Sequence, residues 1–240
     1  MNTPRFRLWS SVGKKILTGL TGIALMAFIV MHLLGNLTLL VGADAFNGYT
    51  ESLHELGWLV IVAELGLIAL FGLHAISAVQ VWLDKGKARK QHNSLMRTKG
   101  APSKQTIASR SMIVTGAVLL VFVVVHVIQF RFGPSIEQGY VAVVDGAPAR
   151  DLHRLVVETF KNPVWTGIYV AVMLLLGFHL RHGFWSAFQS IGALGPKLRP
   201  LAYSVAVVFA VAMAVGFLIL PLYLFLFASV PSGAVAMAGH

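Results

Sequence analysis

Residues 162–192 read NPVWTGIYVAVMLLLGFHLRHGFWSAFQSIG. From Val164 to Gly177 the run is almost wholly apolar, as the first half of a membrane-crossing helix must be. His179, Arg181 and His182 then follow while the chain is still at membrane depth. An ionisable group in hydrocarbon costs at least ~2.5 kcal/mol and marks a functional site by default. His179 and His182 are three apart and share one helix face. Gly177 and Gly183 flank them and leave room for something flat and bulky.

The rest of the chain has the same character. Of its 240 residues, 57% are hydrophobic and 12% charged, a balance that belongs to an integral membrane protein. There is no cysteine, which excludes disulfides, iron–sulfur ligation and covalent c-type haem attachment. Five apolar stretches can each cross a hydrocarbon core of ~30 Å: 16–41, 57–83, 107–132, 163–190 and 201–228. The first resembles a signal peptide, with Arg5, Arg7, Lys14 and Lys15 ahead of it and Ala43-Asp44-Ala45 behind. Its apolar run is about twice signal-peptide length, so it reads as an uncleaved anchor helix. No internal repeat and no low-complexity tract stands out. The expected fold is all-α, one five-helix membrane domain over 1–240.

The net charge of +10 is topological and carries no nucleic-acid signal. Of the 19 Lys and Arg, four precede the first span, eight lie in 85–110, and three more, Arg181, Lys197 and Arg199, sit at the end of the fourth span and before the fifth. Arg131, Arg150, Arg154 and Lys161 remain for the other side, together with seven of the nine acids. The positive-inside rule then places the N-terminus in the cytoplasm and the C-terminus outside. In a bacterium this is the inner membrane.

Orientation gives each histidine a depth. His32 lies about 25 Å along the first span at 1.5 Å per residue, in the outer half. His74 is late in the descending second span and falls in the inner half. His126 is near the outer end of the third span, and His179 lies in the inner half of the fourth. Two imidazoles facing each other from different helices are what a low-spin b-type haem needs. His32 with His126, and His74 with His179, supply two such pairs at two depths. A lone intramembrane histidine is as readily a hydrogen-bonding group as a ligand; four on separate helices in two matched levels favour two haems. His182 is too near His179 to face the same iron from the other side, and suits a propionate or quinone. His92, His153 and His240 read as solvated, and His54, at the border of the outer surface, as either a structural residue or the lining of a quinone site.

The runs SSVGKKILTGLTGIALMAFIVMHLLGNL (10–37), HAISAV (74–79, after Phe71-Gly72-Leu73) and GFHLRHGFWSAFQSIG (177–192) resemble the cytochrome b subunit of succinate:quinone oxidoreductases. These are the succinate dehydrogenases and fumarate reductases with one five-helix, two-haem anchor. The resemblance is strongest in the first and fourth spans and weakest in the outer loops and the fifth. It implies the same ligand pairing: His74 and His179 for the inner haem, His32 and His126 for the outer. It also implies a flavoprotein and an iron–sulfur protein on the cytoplasmic face, and electron exchange with a membrane quinone, expected to be menaquinone. The catalytic succinate or fumarate site would lie on those partners, since this chain has neither a nucleotide-binding signature nor cysteine.

Ser11, Lys15, Arg181, His182 and Trp185 border the cytoplasmic ends of the first and fourth spans and are candidates for haem propionates or a quinone carbonyl. Positive-inside anchoring accounts for the basic members equally simply, and best for Lys14. Glu64 reads as the sole carboxylate within a span and a candidate proton relay to an outer quinone; Glu51 is the other acid near that end. The polar stretch 84–110 is either a solvated loop or the docking surface for the partner. Two alternatives were weighed against this reading. One is the cytochrome b anchor of a hydrogenase or formate dehydrogenase. The other is a cofactor-free transporter or scaffold, which should show matched broken helices in two halves.

Overall fold

The computed structural model describes residues 9–88 and 107–230. Seven helices occupy most of them: α1 (Ser11–Asn36), α2 (Ala43–His54), α3 (Trp58–Ala88), α4 (Ile107–Phe130), α5 (Leu152–Lys161), α6 (Pro163–Ser190) and α7 (Arg199–Phe227). Five of them, α1, α3, α4, α6 and α7, are long and apolar enough to cross a membrane. The chain is therefore an all-α integral membrane protein with five candidate spans.

Local chemistry sets the helix ends. Ser10 Oγ accepts from Gly13 N at 3.0 Å, so α1 begins at Ser11, five residues before its apolar run. Asn162 Oδ1 accepts from Val164 N at 2.9 Å and Pro163 takes the first helical position, a strong start for α6. Gly192, at φ 78°, stops the chain just beyond α6 in a conformation that favours glycine. α3 runs on to Ala88, so Asp84 joins Glu64 as a carboxylate on a spanning helix, a correction to the expectation of one. α7 continues through Pro221.

The described chain divides into two compact units. The first comprises Met1–Phe28, Leu65–Leu120 and Leu176–Val211; the second comprises Ile29–Glu64, Val121–Leu175 and Ala212–His240. In the first unit, polar bonds join α1 to α3. Thr18 Oγ1 donates to Ser77 Oγ at 2.8 Å, and Lys14 pairs with Asp84 at 2.5 Å. Ser77 is fully buried. Gly19 lets α1 approach α6: a Cβ there would stand 3.1 Å from the Ala187 carbonyl.

The second unit adds a polar cap. α2 was not anticipated, and it buries Phe46 and Asn47. Asn47 Nδ2 donates to Asp151 Oδ1, and Asn47 Oδ1 accepts from His153 N, each at 2.9 Å. The short helix α5 is capped by Asp151, whose carboxylate accepts from Arg154 N. Leu155, Val156, Val157 and Phe160 form its buried face. His153 packs near Phe46, and burial holds its imidazole below the usual range against the pull of Asp151. A two-stranded hairpin, β1 (Val141–Val144) and β2 (Ala147–Arg150), turns at Asp145-Gly146. Both turn residues have positive φ, 50° and 81°, as a tight hairpin turn requires.

Candidate functional site: two histidine pairs

In the second unit, His32 on α1 and His126 on α4 face each other. Their ring centroids are 5.8 Å apart and their planes cross at 86°. A metal held between two imidazoles, at about 2 Å from each nitrogen, separates the ring centres by about 6 Å. The pair therefore fits a single shared metal. Phe122 stacks on His126 at 5.6 Å, and Phe217 of α7 lies 6.2 Å from His32.

The tautomer of His126 follows from its neighbours. Its Nδ1 lies 3.3 Å from the Tyr169 hydroxyl, and that hydroxyl donates to Gln129 Oε1 at 2.7 Å. A phenol has one proton, and here it goes to the amide oxygen. Tyr169 can then only accept from His126, which fixes the proton on Nδ1 and leaves Nε2 as the lone-pair end. Tyr169 is itself buried, 5% exposed.

The first unit repeats the arrangement with threonines. His74 Nδ1 lies 3.2 Å from Thr21 Oγ1, and Thr21 donates back to the Leu17 carbonyl at 2.7 Å. His179 Nδ1 lies 3.1 Å from Thr115 Oγ1, and Thr115 donates to Ser111 O at 3.1 Å. Each hydroxyl has a carbonyl of its own helix to donate to, so it can accept from a histidine protonated on Nδ1, whose Nε2 is then the lone-pair end. Beside each threonine is a glycine that the ring lies against. A Cβ on Gly22 would sit 3.2 Å from His74 Cε1, and one on Gly116 would sit 3.4 Å from His179 Cε1. A ligating histidine held by its second nitrogen is the usual outer-shell device of metal sites. Among the described residues no group of three or more His, Cys, Asp or Glu comes together, so a metal here would have the histidine pair as its protein ligands.

The other candidates are scattered more widely. Ser11, Lys15 and Arg181 are exposed, and Lys14, not Lys15, makes the α1–α3 ion pair. His182 lies 6.3 Å from Trp185, and Trp185 stacks on Tyr203 of α7 at 4.7 Å. Trp185 Nε1 is buried with no hydrogen-bond partner, and so is Arg199 Nε, a residue that sequence reasoning missed. Gly183 opens onto free space. Glu64 is bridged to Arg131 by two contacts, 2.6 and 3.3 Å, with both side chains well exposed. His54 is exposed on α2. His92, His240 and most of the 84–110 stretch lie outside the described residues.

The threonine seats also correct the expectation of no internal repeat. Residues 21–32, TGIALMAFIVMH, and 115–126, TGAVLLVFVVVH, agree at six of twelve positions, including both ends. The signal was visible in the chain itself, but only the histidines were read as meaningful.

No curated protein and no solved structure matches the chain. A family model does match, over residues 85–220, more than half of the chain. That stretch holds His126 and His179, the whole of α5 and α6, and Thr115 with its glycine. Five apolar helices and this match identify the chain as a member of the succinate dehydrogenase/fumarate reductase transmembrane subunit family.

Proposed function

We propose that the chain is the di-haem cytochrome b anchor of a succinate dehydrogenase or fumarate reductase, carrying electrons between cytoplasmic partner subunits and a membrane quinone. The observation that supports this best is the seat of the rings: Nδ1 of His74, His126 and His179 each lies within hydrogen-bond distance of a hydroxyl, which suits a proton on Nδ1 and leaves Nε2 for a metal. Membership of the family favours this reading over hydrogenase or formate dehydrogenase anchors and over a cofactor-free transporter.

His32 and His126 would hold one haem b and His74 and His179 the other, all within one membrane domain. Bound haem supplies a one-electron carrier at each pair. The chain's own residues do the rest. They hold the ligand rings in one orientation, exclude water with an apolar wall that includes Phe122 and Phe217, and supply donors for acceptor oxygens near the helix ends. The buried Trp185 Nε1, with His182 beside it, suits a haem propionate or a quinone carbonyl, and Arg181, Lys15 and Ser11 stand at the same ends of α6 and α1. The Glu64–Arg131 pair is a candidate proton exchanger for quinone, expected to be menaquinone, at the opposite end.

The N-terminus is assigned to the cytoplasm and the C-terminus to the outside of a bacterial inner membrane. The flavoprotein and iron–sulfur partners would then bind the face that collects 15 of the 19 basic side chains. Succinate or fumarate chemistry resides in those partners. A reduced-minus-oxidised visible spectrum of the purified complex, with haem and protein quantified, tests the reading: two b-type haems per chain are expected, and none would overturn it.

A further inference from the structure

The haem reading uses the histidines; it does not use the Thr-Gly pair next to each ligand of the first unit. These pairs are built alike. Thr21 and Thr115 each have a carbonyl of their own helix to donate to and stand within hydrogen-bond distance of Nδ1 of a histidine on another helix, placed to accept from it. Gly22 and Gly116 each lie so close to the Cε1 of that ring that a side chain would press on it. Both threonines are buried, 5% and 3% exposed, so water cannot stand in for the hydroxyl. Each pair opens a twelve-residue repeat that ends in a histidine of the second unit, eleven residues or about three turns on. The repeat keeps threonine, glycine and histidine together, and lets six of the nine intervening side chains vary.

We propose that Thr21 and Thr115 are positioning residues that set the redox level of the haem held by His74 and His179; this rests on the haem reading above. A hydrogen bond from Nδ1–H to an oxygen acceptor shifts electron density toward Nε2 and makes the imidazole a stronger donor. The acceptor is strengthened because its own hydroxyl is already donating to a carbonyl. Oxidised iron carries the extra positive charge and gains more from a stronger donor than reduced iron does. Each threonine therefore favours the oxidised state and lowers the midpoint potential of its haem, a lever separate from ligand identity. The second unit differs, because His126 is held there by a phenol that in turn bonds an amide. The seats thus act on one haem and not the other.

The test is a redox titration of the visible spectrum of the intact complex. Thr21→Val and Thr115→Val keep the shape of the side chain and remove the acceptor. Each should shift one of the two midpoints upward, leave the other in place and retain two haems. The double variant should shift that same midpoint further. Thr21→Ser and Thr115→Ser keep the hydroxyl and should return the parent value. Gly22→Ala keeps Thr21 and raises helix propensity but presses on the His74 ring; it should raise the same midpoint. If a valine variant loses its haem, the serine variant decides: haem retained at the parent midpoint supports a hydroxyl seat, and haem lost as well overturns it. Valine variants with two haems and unchanged midpoints would overturn the proposal while leaving the haem reading intact. A parent complex without haem would end both.

Discussion

Replacing Tyr169 with phenylalanine isolates the hydrogen bonds of the second histidine pair from its packing. The ring keeps its edge contacts with Phe122 and Phe160, both at 4.9 Å between centroids. Two bonds are lost, the one from His126 Nδ1 and the one to Gln129 Oε1. Hydrogen bonds between helices in a membrane average ~0.6 kcal/mol and reach ~1.7, so the change should cost about 1–3 kcal/mol. At 1.4 kcal/mol per decade, that should weaken retention of the haem proposed for His32 and His126 by about one to two orders of magnitude. Tyr169→Ala empties part of an aromatic cluster and should cost more, about 3–5 kcal/mol. The assay is a heat ramp of the detergent-solubilised complex, following the visible spectrum of each haem. The Phe variant should release or perturb one haem at lower temperature than the parent and leave the other unchanged; the Ala variant should release it earlier still. A Phe variant identical to the parent in haem retention and in both midpoints would refute the tautomer argument for His126.

Three further outcomes follow from the same geometry. His74→Ala or His179→Ala should each remove one haem, the same one, and leave the spectrum of the other; loss of both haems from a folded protein would contradict separate pairs. His182→Ala should keep both haems and slow reaction with quinone or shift one midpoint, as measured by spectrum and by quinone reduction; a missing haem would mean that His182, not His179, is the ligand. Protease should cut the 84–110 stretch readily in the isolated subunit and slowly in the assembled complex, read by gel electrophoresis and mass mapping; equal cutting would remove that stretch from the partner interface.

The spans were legible because each is a long apolar run, and hydropathy alone finds such runs. Their ends were less so. α1 starts at Ser11 because a serine cap and two lysines can be helical without being apolar, and α3 runs past Leu83 where Asp84 finds Lys14. α2 escaped notice because its buried residues, Phe46 and Asn47, sit among polar neighbours in a segment of low average hydropathy. The hairpin carries its signal in Asp145-Gly146, and Pro148, a residue that strands disfavour, is tolerated in so short an edge pair. At the site, the histidines were legible because ionisable groups are conspicuous in hydrocarbon. The threonines were not, since a hydroxyl that bonds its own helix looks like ordinary filler in an apolar run. Only the fold brings Thr21 to His74 and Thr115 to His179.

The clamp at Asn47 has a consequence for how the protein is made. Its partner Asp151 lies 104 residues further along the chain. At 5–20 residues per second of synthesis, Asn47 leaves the ribosome about 5–20 s before Asp151 does. Throughout that interval the Asn47 amide has only water to bond, so α2 waits beside the membrane with Phe46 exposed. The latch closes after α4 has crossed and the hairpin and α5 have emerged behind it. A ribosome stalled before residue 151 should therefore leave α2 open to amide-proton exchange, and one released past α5 should not.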